Sequence, residues 1–189
     1  IAGSDWSSDV CSSDLGQKVK IKDLLRGIIV QSGNDACIVV AEGLAGSEEV
    51  FASLMTQKAK EIGLKNSTFA NATGLPHKNH LMSSKDLAVL AQAIIRDFPE
   101  YYSIYSEKEF TYNKMKQGNR NPLLYSMDGA DGLKTGYTSQ SMYCITLSAK
   151  RNGLRFISVV MGSPTRDSRN SEATKLLTYG FNNYEQKLL

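Results

Sequence analysis

The segment GLKTGYTSQSMYCITLSAKRNGLRFISVVM, residues 132–161, predicts an antiparallel β-meander of two or three strands. Two runs rich in β-branched and aromatic residues, 143–149 and 155–161, are typical of half-buried strands. Between them lies Arg151-Asn152-Gly153, and the Asn-Gly pair is a strong signal for a hairpin turn. The run 132–138 precedes both and provides the third candidate strand.

Apolar residues recur at helical spacing on both sides of the meander. A helix is predicted from about residue 20, and Ser32-Gly33-Asn34 interrupts it before a second apolar helix over 35–44. Further helices are predicted over 47–62, 83–97 and 168–183. The side chains expected to face inward are, in the helix over 47–62, Val50, Phe51, Leu54, Met55 and Ala59 and, in the helix over 168–183, Ala173, Leu176, Leu177 and Phe181. Helices first and strands later favour the α+β class, with a helical block beside an antiparallel sheet.

Composition indicates a soluble globular domain. The chain has 189 residues, of which 41% are hydrophobic and 22% charged, and its formal net charge is +3. These values exclude a disordered chain and a membrane bundle, and the charge is too small to favour nucleic acid as a partner. The three cysteines are too few and too scattered for a disulfide scaffold or a zinc site. His77 and His80 lie in a polar loop without a cysteine or carboxylate at ligand spacing, so no metal is expected.

Residues 1–15, IAGSDWSSDVCSSDL, differ in composition and pattern from the rest of the chain. They are rich in Ser and Asp, contain the near-repeat SSDV/SSDL and show no helical or strand periodicity. We expect a disordered tail or a junction foreign to the domain. The domain itself is then expected to span 16–189.

Two short motifs are candidates for chemistry: Ser32-Gly33-Asn34 and Lys134-Thr135-Gly136. Each is weak alone, since both tripeptides occur by chance. In this order, the first between helices and the second on a strand, they match the later parts of the serine acyl-transfer signature S-x-x-K, S-D-N, K-T-G. A serine hydroxyl and a lysine ammonium that meet across a cleft can relay a proton. A strand edge bearing K-T-G can align an extended peptide, and Gly136 leaves room for its backbone.

The chain from Lys20 to about Tyr184 resembles the serine D-alanyl-D-alanine carboxypeptidases, the low-molecular-mass penicillin-binding proteins of peptidase family S11. The resemblance implies a β-lactamase/transpeptidase-like α+β fold and no metal or organic cofactor. It is carried by DLLRGIIVQSGNDACIVVAEGLAGS (23–47), NSTFANATGLP (66–76), SIYSEKEFTYN (103–113), QGNRNPLLY (117–125), GADGLKTGYT (129–138) and VVMGSPTRDSRNSEATKLLTYGF (159–181).

The resemblance implies catalytic roles for Ser32, Asn34 and Lys134. Ser32 would shuttle a proton during acylation and deacylation. Asn34 would hold the substrate amide, because its side chain both donates and accepts hydrogen bonds. Lys134 would hydrogen-bond Ser32 and supply positive potential to the site.

The resemblance also implies a substrate pocket. Thr135 and Arg169 would bind the terminal carboxylate of the substrate, and a guanidinium suits such bidentate binding. Gly136 lies where the substrate backbone would approach. The backbone N–H of Tyr137 would form one half of the oxyanion hole; relatives often have His at this position.

One departure from the family pattern concerns the nucleophile. The family nucleophile is the serine of S-x-x-K, and no serine in the sequence has a lysine three positions later. We therefore expect an N-terminally truncated domain that is inactive by itself. The parent would remove terminal D-Ala from peptidoglycan stem peptides through an acyl-serine and would be acylated by β-lactams. It would act in the periplasm or at the outer face of the cytoplasmic membrane, with an anchor in a missing C-terminal segment. A β-lactamase-like hydrolase and a non-catalytic peptide-binding or partner-binding relic remain as alternatives.

Overall fold

The structure is a computed structural model that describes residues 18–185. The predicted tail or junction over residues 1–15 lies outside the described residues. The helices are α1 (Ile21–Arg26), α2 (Asn34–Ala45), α3 (Glu48–Glu61), α4 (Ser84–Asp97), α5 (Pro99–Tyr102), α6 (Leu123–Ser126) and α7 (Arg166–Asn183), with a π-helical turn at Gly27–Gln31 and a 3₁₀ turn at Ser103–Ser106. The strands are β1 (Glu109–Tyr112), β2 (Met115–Gly118), β3 (Ala130–Thr138), β4 (Met142–Arg151) and β5 (Leu154–Ser163).

The predicted meander is confirmed as an antiparallel three-stranded sheet in the order β3-β4-β5. Asn152 and Gly153 form the turn between β4 and β5 with φ values of 49° and 84°. Both values lie in the left-handed region that a two-residue hairpin requires and that Asn and Gly tolerate. Because β4 is central, β3 is an edge strand. Among the described residues, no other strand pairs with its second edge.

A second hairpin, β1–β2, was not predicted from the sequence. Its turn is formed by Asn113 and Lys114, with φ values of 46° and 65°. Lys is an unusual residue at a positive φ, so the sequence lacks the Asn-Gly signal seen at the other hairpin. Phe110 of this hairpin is buried against Val30, which belongs to the π-helical turn.

Capping side chains begin the longer helices at or near the predicted positions. Ser47 Oγ accepts a hydrogen bond from the Val50 N–H at 3.3 Å, and Ser83 Oγ accepts one from the Asp86 N–H at 3.1 Å. Thr165 and Ser168 form a reciprocal capping box at the start of α7. Each cap satisfies backbone donors that the first helical turn leaves unpaired.

The core lies on both faces of the sheet, which confirms the α+β class. On one face, α7 packs Ala173 and Leu177 against Ile145, Leu147 and Ala149 of β4. On the other face, Ala91 of α4 and Tyr102 of α5 belong to a cluster that packs against Ile157 of β5.

Three side chains expected to face inward do not. Val50 is 51% exposed, Leu54 48% and Leu176 52%. The buried face of α3 consists of the small residues Ala52 and Ala59, which allow close helix approach. The prediction for Ala59 is therefore confirmed, whereas Val50 and Leu54, which lie on the opposite face of this helix, were wrongly included.

Candidate active site

Ser32 occupies a strained backbone position at the end of the π-helical turn. Its φ and ψ are 61° and 40°, which is the left-handed region that non-glycine residues seldom adopt. The preceding turn fixes this geometry, because Gly33 N–H reaches back to the Gly27 carbonyl at 3.0 Å. Such strain costs on the order of 1–3 kcal/mol and is typical of functional sites, as are single π-helical turns.

Lys134 reaches Ser32 from the edge strand β3. Its ammonium donates hydrogen bonds to Ser32 Oγ and to the Thr135 carbonyl oxygen, the latter at 2.8 Å. The two residues are 102 positions apart in the sequence, so the fold alone brings them together. The structure thus joins Ser-Gly-Asn and Lys-Thr-Gly in one site.

Burial lowers the pKa of Lys134 to about 8. The positive charges of Arg120 and Arg169 lower it further, and Cys37 opposes them. A lysine with a pKa near 8 is populated in both protonation states close to neutral pH, so it can accept or donate a proton there.

Thr135 and Gly136 continue the edge strand beyond Lys134. In the β3–β4 ladder Thr135 lies opposite Ile145, and Gly136 lies opposite Cys144. Gly136 is exposed, and a Cβ built on it would meet no atom within 4 Å. Internal packing therefore does not require a glycine at this position, and the space above it is open to a ligand backbone.

Arg169 is a buried cation in α7, with only 5% of its surface exposed. Its Nε and Nη2 donate to the neutral Asn170 Oδ1 at 3.1 and 3.0 Å. Within residues 18–185 the structure gives it no carboxylate partner. Burial lowers the pKa of this guanidinium, as does the charge of Arg166. A buried guanidinium without an anion is poised to bind an external carboxylate, because the ion pair would replace lost hydration.

Arg120 was missed as a site residue by sequence reasoning, which assigned Asn119-Arg120-Asn121-Pro122 to a turn. Its backbone N–H donates to the Val30 carbonyl at 3.2 Å, and its Nε donates to Gln31 Oε1 at 3.1 Å. These contacts hold a second guanidinium close enough to Lys134 to lower the lysine pKa. The sequence feature that could have identified Arg120 as a site residue is its position inside the family-like segment 117–125.

Asn34 and Cys37 lie in the first turns of α2, directly after Ser32. Asn34 is half-buried, and its side chain makes no hydrogen bond to other described residues, so it is free to contact a ligand. Burial raises the pKa of the Cys37 thiol to about 11, although the charge of Lys134 opposes the shift. The thiol therefore remains protonated at neutral pH and is a poor nucleophile.

Tyr137 follows Gly136 on the edge strand and is 57% exposed. Its ring stacks on that of Tyr143, its partner in the β3–β4 ladder, with centroids 4.4 Å apart.

The histidines of the polar loop are engaged locally. His80 Nδ1 accepts a hydrogen bond from the Ala70 N–H at 3.3 Å, and His77 Nδ1 accepts one from the Asn79 N–H at 3.1 Å. Between residues 18 and 185, no group of three or more His, Cys, Asp or Glu side chains is arranged to hold a metal ion. None of the helices in this part of the chain has the length and hydropathy that a membrane span needs.

Comparisons with known proteins identify the family. The family model for peptidase S11, D-alanyl-D-alanine carboxypeptidase, matches residues 3–165. The D-alanyl-D-alanine carboxypeptidase DacC of Escherichia coli K12 is 47% identical over 171 residues, which cover 90% of this chain and 43% of that protein. The chain therefore spans less than half the length of this curated relative.

Solved structures agree with the sequence relatives. Penicillin-binding protein 5 from Haemophilus influenzae superposes with a TM-score of 0.88 at 47% identity, covering 92% of this chain and 51% of that one. Penicillin-binding protein D2 from Listeria monocytogenes, in its ampicillin-bound form, gives a TM-score of 0.80 at 34% identity, covering 86% and 68%. These findings confirm the resemblance drawn from the sequence: the chain belongs to the peptidase S11 family of D-alanyl-D-alanine carboxypeptidases.

Proposed function

We propose that this chain carries the second and third motifs and the carboxylate pocket of a serine-type D-Ala-D-Ala carboxypeptidase. The observation that carries the proposal is the hydrogen bond from Lys134 Nζ to Ser32 Oγ, in a site where the lysine pKa is lowered to about 8. A paired hydroxyl and amine with a pKa near neutral suit proton relay.

The proposed reaction is acyl transfer through a serine ester. The oxygen of the S-x-x-K serine attacks the carbonyl carbon of the penultimate D-Ala, and the peptide C–N bond breaks. The proton of the attacking hydroxyl passes through Ser32 and Lys134 to the leaving amine, and water then cleaves the ester to give the carboxylic acid and restore the serine. No serine among the 189 residues fits S-x-x-K, so the proposed reaction requires a nucleophile that these residues do not supply.

Substrate binding is assigned to the edge strand and α7. The stem peptide would extend along the open edge of β3, with Gly136 leaving room for its backbone. Its terminal carboxylate would lie between the Thr135 hydroxyl and the buried Arg169 guanidinium. Asn34 would hold the substrate amide, and the Tyr137 N–H would contribute to the oxyanion hole.

The substrate class places the proposed activity at the cell wall, in the periplasm or at the outer face of the cytoplasmic membrane. β-Lactams are the expected inhibitors. The ampicillin-bound state of the Listeria penicillin-binding protein D2 supports this expectation, because that protein has the same fold at 34% identity.

Non-covalent peptide binding is the second candidate function for these 189 residues. The absence of an S-x-x-K serine favours it, since Thr135, Arg169 and the β3 edge need no nucleophile to bind a carboxylate-ended peptide. A hydrolytic function needs the missing motif, whereas a binding function does not.

The test is an NMR titration of the ¹⁵N-labelled chain with N-acetyl-D-Ala-D-Ala and with its C-terminal amide. The free acid should shift resonances of β3 and of the first turns of α7, and the amide should bind at least tenfold more weakly because a charged hydrogen-bonded pair is lost. Arg169→Gln should remove the preference for the acid. Lys150→Gln, an exposed cation on β4, is the matched control. Equal binding of acid and amide would refute the carboxylate pocket.

A further inference from the structure

The edge of the sheet beside the carboxylate pocket carries an aromatic pair that the proposed reaction does not use. The rings of Tyr137 and Tyr143 stack across β3 and β4 with an interplanar angle of 33°. Cross-strand aromatic contacts of this kind are favourable, so each ring restricts the rotamers of the other. Tyr137 nevertheless remains 57% exposed, so one face of the pair is open.

Strand alternation places this pair on the face of the sheet that α7 covers. Side chains alternate between the two faces along a strand, and directly paired residues share a face. Ile145 packs against α7 in the core, so Tyr143, two residues earlier, lies on that same face. The ladder pairs Thr135 with Ile145 and Tyr137 with Tyr143. Thr135 and both tyrosines therefore line the α7 side together.

Arg169 of α7 lies on the same side of the sheet as Thr135 and the two tyrosines. It lies four residues before Ala173, so both belong to one face of α7, and Ala173 is fully buried against the sheet. Arg169 is 5% exposed, and Tyr143 and Cys144 are within its electrostatic reach. The Arg169 guanidinium, the Thr135 side chain and the two rings therefore lie on the same side of the β3–β4 edge.

We propose that the Tyr137–Tyr143 stack is the wall of the carboxylate pocket that limits the size of the C-terminal residue a peptide ligand can carry. The inference rests on the proposed function, since it takes Thr135 and Arg169 as the carboxylate anchor. A carboxylate held there fixes the adjacent Cα, and the side chain on that carbon then meets the edge of the rings. A methyl group fits beside them, whereas a branched chain requires the rings to move apart. The wall therefore selects D-Ala as the terminal residue.

Two properties of the stack suit this role. Its rings are in contact with each other, so a larger side chain could enter only by displacing a packed ring. Gly136 lies directly before Tyr137 and has open space above it, so the ligand backbone is unobstructed while its terminal side chain is confined. Selectivity in such a pocket is worth about 10- to 200-fold for one methylene group.

The test compares N-acetyl-D-Ala-D-Ala with N-acetyl-D-Ala-D-Leu in NMR titrations of the 189-residue chain. The unmodified chain should bind the D-Ala peptide at least tenfold more tightly. Tyr137→Ala should reduce this ratio to within threefold, by improving binding of the D-Leu peptide. Tyr137→Phe should preserve the ratio, because the ring and not the hydroxyl forms the wall. Tyr179→Ala removes a tyrosine that is 61% exposed elsewhere on α7 and should change nothing.

The outcomes distinguish the proposed role of the tyrosine pair from the proposed carboxylate binding by Thr135 and Arg169. An unchanged ratio in Tyr137→Ala, with the D-Ala peptide still bound, would overturn the wall and leave the carboxylate pocket intact. Failure of the unmodified chain to bind either peptide would overturn the pocket and the wall together. Tyr137→Trp provides a change in the opposite direction, since a larger ring should increase discrimination against D-Leu. A thermal melt of each variant checks that the sheet is intact.

Discussion

Lys134 Nζ donates a hydrogen bond to Ser32 Oγ, and this contact ties the edge strand β3 to the left-handed residue that ends the π-helical turn. It combines two unfavourable local features, a strained serine backbone and a desolvated ammonium. Function explains their retention better than stability does, because strain and perturbed pKa values concentrate at reactive sites.

The first prediction is that Lys134→Met stabilises the fold at neutral pH. Burial lowers the lysine pKa from 10.5 to about 8, so the folded state disfavours the charged form by roughly 3 kcal/mol below pH 8. Loss of the hydrogen bonds to Ser32 and Thr135 removes part of this gain, leaving about 1–2 kcal/mol. Urea unfolding at pH 7 measures the difference.

The pH dependence of that difference has a defined sign. Between pH 8 and 10.5 the unfolded chain binds more protons at Lys134 than the folded chain, so the stability of the unmodified protein rises with pH. The advantage of Lys134→Met should therefore be largest below pH 8 and should disappear by about pH 10.5. Lys175→Met, whose side chain is 68% exposed, should show no such trend. A constant advantage across this range would contradict a depressed lysine pKa.

The second prediction contrasts two glycines of β3. Gly136→Ala should leave the free energy of unfolding within about 0.5 kcal/mol, because the new methyl group meets no atom within 4 Å. It should weaken binding of N-acetyl-D-Ala-D-Ala, because the methyl group occupies the space left for the ligand backbone. Gly132→Ala should destabilise the fold by about 2 kcal/mol, since its Cβ would lie 2.7 Å from the Tyr102 hydroxyl.

Chemical denaturation and the peptide titration, performed on both glycine variants, separate the two effects. Normal peptide binding by Gly136→Ala would show that the ligand backbone does not pass over this residue.

Much of the fold follows from local sequence signals. Asn152-Gly153 marks the β4–β5 turn, and Ser47 and Ser83 cap helices where the pattern predicted them. The β1–β2 hairpin escaped prediction because Lys114 gives no turn signal. The inward face of α3 was only partly predicted, because Ala59 is buried as expected but Val50 and Leu54 are not.

The candidate site was only partly predictable. Ser32 and Lys134 could be paired through the order of their motifs, although nothing local in either segment indicates contact. Arg120 was not recognised although it lies in the family-like segment 117–125, because its approach to Lys134 depends on docking of the loop after β2 against the π-helical turn. The pairing of Tyr137 with Tyr143 depends on strand register, which the sequence does not specify without the hairpin length.

The third prediction concerns the contacts that Asp131 of β3 makes with Tyr102 and Arg155. Asp131 accepts hydrogen bonds from the Tyr102 hydroxyl at 2.9 Å and from Arg155 Nη1 at 2.8 Å. Asp131→Asn leaves a partly buried guanidinium without its counter-ion and should destabilise the fold by about 2 kcal/mol. The exposed pair Arg96–Asp97 is the control, and Asp97→Asn should cost less than about 0.5 kcal/mol.

A double-mutant cycle with Arg155→Met tests the assignment of that cost. The two substitutions in the network should be strongly non-additive, because the second removes the cation that the first leaves unpaired. Additive effects would show that Asp131 stabilises β3 independently of Arg155.

The fourth prediction is that a fluorescent penicillin does not label the 189-residue chain covalently. β-Lactam acylation needs a serine activated by a nearby base, and no serine here has a lysine three positions later. Ser32 contacts Lys134, but a lysine with a pKa of about 8 is mostly protonated at pH 7, and its ammonium donates to the Ser32 oxygen instead of removing the hydroxyl proton. Denaturing gel fluorescence and intact mass measure labelling, with a full-length S11 carboxypeptidase as positive control. A stable adduct on the chain that Ser32→Ala abolishes would make Ser32 itself the nucleophile and refute its assignment as a proton relay.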